Sequence, residues 1–258
     1  MAKTESSVVK PLTAKSYFLQ EHQKCCKYLR AYRQKRTNEN LHQLRVSIKK
    51  IKAVIVMADR ISDQSLIEQY FSAYRLIFKK AGAIREIALQ QKHFAKAAAN
   101  TKLKNTNRNE LIKLNKEFVT STPLLLKEVQ NNKQQIAKSL ALIPYKAINS
   151  YCTQRIKKLP KQWKQVKSKE EIHKFRKKLK QVLYCTQLLN THDRKELLST
   201  KKITQIDTLQ NLIGKWHDHV VLLQKMEIAD LDTNLKHSPV KLRASQLLSK
   251  IKKKGKQL

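Results

Sequence analysis

Apolar residues recur at steps of three and four along most of the chain, a spacing that is typical of amphipathic α-helices. Three glycines and five prolines in 258 residues leave few positions that interrupt a helix. The pattern predicts eight helices, in the segments 13–34, 38–60, 63–98, 108–138, 144–165, 169–190, 200–226 and 238–254. We therefore predict an all-α fold with four helices in each half.

Polar residues predict where several of these helices begin and end. The stretch 100–109 is rich in Asn, Thr and Lys, and it is the clearest predicted loop. Ser168 and Glu171 have the spacing of a capping box at a helix start. Asp63 is a candidate cap for the helix that leads to Gly82.

A pattern of basic residues occurs twice, which indicates an internal duplication. His-x-x-Arg-x-x-x-Lys is found at His42, Arg45 and Lys49 and again at His173, Arg176 and Lys180. A glycine follows each histidine, Gly82 after 40 residues and Gly214 after 41. Scarce residues at matched offsets predict two homologous halves, displaced by about 131 residues. Because glycine weakens a helix, both glycines are predicted to mark close approach of another helix.

Each half, with four amphipathic helices and short connections, is typical of a four-helix bundle. Pro123 and Pro144 are predicted to flank the crossover between the halves. The sequence thus predicts one domain over residues 1–258, consisting of a first bundle over 10–138 and a second over 139–258. Since the halves are homologous, we expect them to pack around an approximate two-fold axis.

On a helical wheel, both copies of the motif separate a basic face from an apolar one. The basic faces, each within about 100°, hold His42, Arg45, Lys49 and Lys52 in one copy and His173, Arg176, Lys177 and Lys180 in the other. Like charges at these steps destabilise a helix by roughly 0.2–0.5 kcal/mol per pair. A bound anion offsets that repulsion, and among so many cations the histidines are expected to stay neutral until it arrives.

Composition narrows the class of partner. Fifty-five Lys and Arg against nineteen Asp and Glu give a formal net charge of +36, so the natural partner is a polyanion. Nucleic acid, an anionic membrane and a polymer of phosphate are the candidates. Four cysteines without a C-x-x-C spacing indicate a reducing compartment. With no secretory signal and no apolar run of membrane-spanning length, we expect a soluble, cytoplasmic protein.

Further charged residues lie near the glycines. The basic ones are Arg75, Lys79, Lys80, Arg85, Lys201, Lys202 and Lys215. Glu86 and Asp218, four positions after each glycine, are interpreted as partners that hold basic side chains in place. His217 and His219 lie about 200° apart on a helix and cannot face one ion, so no metal site is predicted.

These segments resemble the CHAD family, the conserved histidine α-helical domain. The similar stretches are 41–52 (LHQLRVSIKKIK), 81–86 (AGAIRE), 172–176 (IHKFR) and 213–218 (IGKWHD). The resemblance implies two four-helix bundles related by pseudo-two-fold symmetry, with a basic groove or pore that binds inorganic polyphosphate without cleaving it. The second repeat departs from the family pattern, because Gln181 and Leu183 replace basic positions, while Lys177 replaces an aliphatic residue and adds to the basic face.

The candidate polyphosphate-binding residues combine the motif positions with basic residues near the glycines. They are His42, Arg45, Lys49, Lys50, Lys52, Arg75, Lys79, Arg85, His173, Arg176, Lys177, Lys180 and Lys215. No catalytic residue, metal or cofactor is predicted, because the chain lacks a Gly-rich phosphate loop and an acidic cluster for divalent ions. Association with polyphosphate granules is expected, and a polyphosphate-metabolising partner enzyme is left open.

Non-specific nucleic-acid binding is the alternative function. Two Trp, six Phe and eight Tyr disfavour recognition of single strands by base stacking, but phosphate electrostatics also drive duplex binding. The basic segment 241–258 offers a third possibility, contact with an anionic membrane. We expect instead that its apolar residues pack into the second bundle; these are Leu242, Leu247, Leu248 and Ile251.

Overall fold

The structure is a computed structural model that describes residues 12–96, 101–228 and 239–258, and every regular element in them is helical. The α-helices are α1 (Ala14–Gln34), α2 (Asn38–Ser62), α3 (Leu66–Tyr70), α4 (Ser72–Lys96), α5 (Thr101–Ala141), α6 (Tyr145–Lys164), α7 (Lys169–Cys185), α8 (Thr191–Leu197), α9 (Thr200–Ile228) and α10 (Pro239–Gly255). A 3-10 helix, Thr186–Leu188, follows α7. The predicted all-α class is confirmed.

The predicted loop at 100–109 is wrong for residues 101–109, since α5 begins at Thr101; Asn100 lies outside the described residues. No Gly or Pro interrupts this stretch, and its polar residues from Asn105 on mostly face solvent. The helix packs into the core further along, at Phe118. Polar composition here marks an exposed helix face and does not mark a break.

Pro123 does not flank the crossover, because it lies exposed inside α5, which continues to Ala141. Proline removes one backbone hydrogen bond from a helix. Just before Pro123, the Ser121 and Thr122 hydroxyls donate to the Phe118 carbonyl oxygen at 3.0 and 2.9 Å. A short turn follows Ala141 and leads to α6, whose N-cap is Pro144.

The predicted capping box is confirmed, with the Ser168 hydroxyl and the Glu171 carboxylate each accepting a backbone N–H at the start of α7. The role predicted for Asp63 is wrong. It is the left-handed C-cap of α2, with φ 50°. The carboxylate of Asp59 instead accepts the first two backbone N–H groups of α3, at 2.8 and 3.1 Å. Because α3 intervenes, the predicted segment 63–98 consists of two helices.

The buried apolar residues form two clusters. The first joins α1 to α5 with the start of α6 and the end of α7, and the second joins the rest of α6 and α7 with α9 and α10. The division falls between Cys152 and Ile156 on α6 and between Val182 and Cys185 on α7. Since α2 also packs against α6 and α7, the two motif helices lie side by side.

The C-terminal helix α10 packs into the second cluster much as expected. Leu247 and Ile251 are buried and Leu248 is partly buried against them. Leu242 is the exception, with 62% of its surface exposed. None of the described helices is long and apolar enough to cross a membrane. All four cysteines are free thiols in the interior: Cys25, Cys26, Cys152 and Cys185.

Candidate anion-binding site

Cations from the two motif helices converge on one another. Burial is the largest cause of the lowered pKa of Lys49 and of His42, both on α2, and the charge of Lys180 on α7 adds to it. In the reverse direction, Lys49 lowers the pKa of His173. Arg176 acts on Lys49 as well. The six motif residues, three from each copy, therefore share a single electrostatic environment.

Each motif arginine is anchored to the backbone of a neighbouring helix. Arg45 Nη1 donates to the Phe78 carbonyl oxygen on α4 at 2.8 Å. Arg176 Nε donates to the Gln210 carbonyl oxygen on α9 at 2.9 Å. Both acceptors lie four residues before a glycine. The same type of contact is thus made in both halves.

The two glycines make room for these arginines. A Cβ atom at Gly82 would lie 2.6 Å from Arg45 Nη1, and one at Gly214 would lie 2.5 Å from Arg176 Nη2. Contacts under about 3 Å are not tolerated without movement. The sequence-based expectation of close approach at both glycines is confirmed, and the approaching group is a motif guanidinium.

An aromatic ring supports the first arginine. The guanidinium carbon of Arg45 lies 4.1 Å from the centroid of the Phe78 ring, and Lys49 Nζ lies 5.5 Å from it. Cations at such distances are attracted to the ring face. Arg45 Nε is enclosed and has no hydrogen-bond partner among the described residues. The side chain is held from two sides and retains unused donor capacity.

Arg85, on α4, is the common neighbour of the motif residues. Its charge lowers the pKa of five of them: His42, Arg45, Lys49, Arg176 and Lys180. We call Arg85 and the six motif residues the central cationic group. The sequence predicts Arg85 as one of several basic residues near the glycines, and the structure brings it to the middle of the motif charges.

Desolvation and repulsion between like charges strongly disfavour the charged forms of residues in the central cationic group. Burial and then neighbouring cations, with Lys180 first, lower the pKa of Lys49 to about 7. For the same reasons the pKa of Lys180 falls to about 8 and that of Arg45 to about 10. Desolvation and like charge both disfavour the charged form. The arrangement therefore favours a ligand that brings negative charge.

Carboxylates offset part of this charge in the second half. Asp218 raises the pKa of Arg176 and, with Asp207, that of Lys180. This agrees with the interpretation of Asp218 as an electrostatic partner of basic side chains. Desolvation remains the largest influence on both cations, so their pKa values stay low.

Other candidates lie away from this centre. Lys50 turns toward α1, where its Nζ lies 3.2 Å from the buried carboxylate of Glu21. Burial and the charges of Arg75 and Lys177 lower the pKa of Lys52, and Lys177 also acts on His173, so these three residues extend the positive charge outward from the centre. The two remaining candidates, Lys79 and Lys215, are exposed.

One residue at the site was not selected from the sequence. The ring of His217 on α9 lies against that of His173, with centroids 4.3 Å apart. His219 faces elsewhere, with its Nδ1 2.7 Å from the Lys215 carbonyl oxygen, as the helical wheel predicted. The signal that identifies His217 is positional: it follows Gly214 by three residues, as Arg85 follows Gly82.

A His/Asp/Glu group outside the motifs is structural. In the described residues, ligand atoms of His192, Asp193 and Glu196 lie within 4.8 Å of one another on exposed helix α8. The Asp193 carboxylate already accepts from the hydroxyl of Tyr145 at 2.6 Å and from the amide of Asn149 at 3.1 Å. These bonds fasten α8 to α6.

Comparison with known proteins gives one family. The CHAD domain model matches residues 17–227 of the chain. No curated protein sequence matches it. Two solved structures have a similar fold. The CHAD domain from the plant Ricinus communis has a TM-score of 0.67 at 13% identity, covering 100% of this chain and 97% of that one. PptA from Streptomyces chartreusis has a TM-score of 0.63 at 11% identity, covering 96% and 98%.

Proposed function

Because the chain belongs to the CHAD domain family, we propose that it binds inorganic polyphosphate at the central cationic group and does not cleave it. The observation that carries the proposal is the convergence of both motif copies on Arg85, with the pKa of Lys49 lowered to about 7. A polymer of phosphate supplies several negative charges at once. It restores the charged form of the lysines and accepts charge-assisted hydrogen bonds from both arginines.

The proposed role is binding without catalysis. The central cationic group consists of cations and histidines, which are suited to holding phosphate oxygens. The basic group of Lys52, Arg75 and Lys177 lies next to it and extends the positive surface along which a chain can run. In this proposal the polymer lies in a basic groove or pore. Exposed Lys79 and Lys215 contribute long-range attraction, and Lys50 mainly neutralises Glu21.

We further propose that the halves arose by duplication and form two four-helix bundles about an approximate two-fold axis. The equivalent contacts of Arg45 and Arg176, each beside a glycine, support this view. The proposed cellular setting is the cytoplasm, at polyphosphate granules; four free buried thiols fit a reducing compartment.

The test is a calorimetric titration with long-chain polyphosphate and, in parallel, with a DNA duplex of matched charge, at low and near-physiological salt. Both affinities fall with salt because bound cations are released, so the ratio at higher salt is informative. We expect polyphosphate binding to persist there while duplex binding is lost. Equal or tighter duplex binding would replace the proposal with the alternative, a general nucleic-acid binder attracted by the charge of +36.

A matched pair of variants separates a specific site from general charge. Arg45→Glu with Arg176→Glu should weaken polyphosphate binding by about 100-fold or more, because several charge-assisted bonds of about 1.5–3 kcal/mol each are lost. Lys252→Glu with Lys253→Glu changes the charge equally on exposed positions of α10 and should cost less than about threefold. Circular dichroism checks that both fold. Equal losses would contradict a specific site.

A further inference from the structure

The two halves differ in the residue that follows each glycine by three positions. It is Arg85 after Gly82, and His217 after Gly214. Each is followed directly by a carboxylate residue, so the positions correspond. The first half thus has a permanent cation where the second has an imidazole, whose charge depends on pH near neutrality.

The geometry ties His217 to the central cationic group. Its ring lies 4.3 Å from that of His173, with an angle of 36° between the planes. His173 Nδ1 is enclosed and has no hydrogen-bond partner among the described residues. An enclosed ring nitrogen without a partner is costly unless a ligand supplies that partner. The His173–His217 pair therefore has hydrogen-bonding capacity that no described residue of the protein uses.

The surroundings of the pair favour an anion. From α7, His217 is faced by His173 and by the charges of Arg176 and Lys177, while Asp218 on its own helix acts in the opposite sense. His173 also experiences the charge of Lys49 on α2. A divalent metal ion at the two imidazoles would meet these cations, so the pair is poorly suited to a metal.

Without an anion, both imidazoles are neutral at pH 7. Burial, followed by His217, Lys177 and other cations, lowers the pKa of His173 to about 4. Burial is also the largest cause of the lowered pKa of His217, with Asp218 opposing it. A phosphate oxygen beside the rings reverses the balance, since it stabilises an imidazolium and accepts its N–H.

We propose, on the basis of the polyphosphate-binding function above, that His217 is a further phosphate-binding residue and that the His173–His217 pair takes up protons from solvent when polyphosphate binds. Each proton converts a neutral imidazole into an imidazolium that donates to a phosphate oxygen. Acidification consequently tightens binding through the second half of the site, whereas Arg85 contributes to the first half independently of pH.

The experiment is calorimetry with long-chain polyphosphate at pH 5.5 and 7.5, each in two buffers of different ionisation enthalpy, which gives the protons taken up per site. The variants are His217→Gln and His217→Arg, and the matched control is His219→Gln on the same helix. His42, Lys49 and Lys180 also titrate, but they are common to all four proteins. Only differences between variants and control are therefore interpreted.

We expect the wild type and the His219→Gln control to bind several-fold tighter at pH 5.5 than at 7.5. His217→Gln should bind more weakly at pH 5.5 and take up fewer protons. His217→Arg should bind at least as tightly as wild type at pH 7.5, with a smaller pH dependence. Two variants are used because a folding defect could imitate the weaker binding expected of His217→Gln. It could not imitate the maintained or tighter binding expected of His217→Arg.

Proton uptake and pH dependence that are unchanged in both His217 variants would overturn the inference and leave the proposed function intact. If the wild type binds no polyphosphate at pH 5.5 and none at pH 7.5, the proposed function is overturned, and the inference with it. The two failures are thus distinguished by the wild-type titration alone.

Discussion

The two halves of the site hold an arginine in the same way but surround it differently. Arg45 lies over the Phe78 ring and near Arg85, a permanent cation. Arg176 lies near Asp218 and is accompanied by the imidazoles of His173 and His217. Anchoring is therefore shared, whereas the residue three positions after the glycine is a permanent cation, Arg85, in the first half and an imidazole, His217, in the second. The repeated motif determines where each arginine lies, and the residues around that arginine determine how strongly its charge acts.

The strongest test of this comparison is to reverse the charge of each motif arginine in a separate variant. We expect Arg45→Glu to weaken polyphosphate binding by about 30-fold and Arg176→Glu by about tenfold, since Asp218 already offsets part of the charge of Arg176. Calorimetry at fixed pH and salt measures both. A larger loss from Arg176→Glu would mean that the second half dominates recognition.

Replacing the glycines should separate stability from binding. Alanine at Gly82 or Gly214 favours a helix by roughly 1 kcal/mol, but its Cβ displaces an anchored guanidinium and its hydrogen bond to the neighbouring helix, which offsets that gain. We expect a free energy of unfolding that is little changed, together with binding weakened several-fold. The loss should be greater for Gly214→Ala, where three atoms of Arg176 lie within 3.1 Å of the added Cβ.

Urea unfolding and calorimetry together test the glycine prediction. The control is a double-mutant cycle in which Gly82→Ala is combined with Arg45→Ala. Once the guanidinium is removed, the added methyl group should cost no further affinity. A further loss in the Arg45→Ala background would show that the glycine acts on binding by some route other than the arginine.

The smallest expected effect concerns the free-energy penalty of keeping Lys49 charged in the folded protein. Its pKa is about 7 in the folded protein and ordinarily about 10.5, so the folded state is penalised fully below pH 7 and progressively less as pH rises toward 10.5. Lys49→Gln should therefore raise the anion-free free energy of unfolding by about 1 kcal/mol near pH 6. That gain should disappear near pH 10, while polyphosphate affinity falls.

Urea unfolding between pH 6 and 10, compared with Lys252→Gln on the exposed face of α10, checks this prediction. The comparison with a matched variant is needed because burial raises the pKa of several cysteines and tyrosines, which therefore lose protons at the alkaline end only when the protein unfolds. A stabilisation that is the same at pH 6 and pH 10 would not come from the charge of Lys49. It would then have to be assigned to packing.

What could be read from the sequence is what depends on helical periodicity and on helix propensity. The all-α fold and the shared face of the motif residues follow from spacing along one helix, and the close approach at both glycines follows from the cost of glycine within a helix. Lys50 shows the limit of that reasoning. Its contact with Glu21 on α1 depends on how two helices pack, which spacing within α2 does not specify.

Two other errors have physical causes of the same kind. The polar stretch from Thr101 looks like a loop because Asn and Thr are weak helix formers, but the remainder of α5 packs into the core and extends the helix over it. His217 is missed because the segment His217-Asp218-His219 suggests a metal site, and two histidines 200° apart on a helix cannot share one ion. Its neighbour His173 belongs to another helix, 44 positions earlier.

The arginine anchors also bear on how such a site is inherited. Their acceptors are main-chain carbonyls, which every amino acid provides, and the residues that supply them are as unlike as Phe78 and Gln210. Each copy of the motif needs only an arginine on one helix and a glycine on a neighbouring helix. The remaining positions along those helices are free to differ, so the two arginines can have different neighbours without losing the anchor.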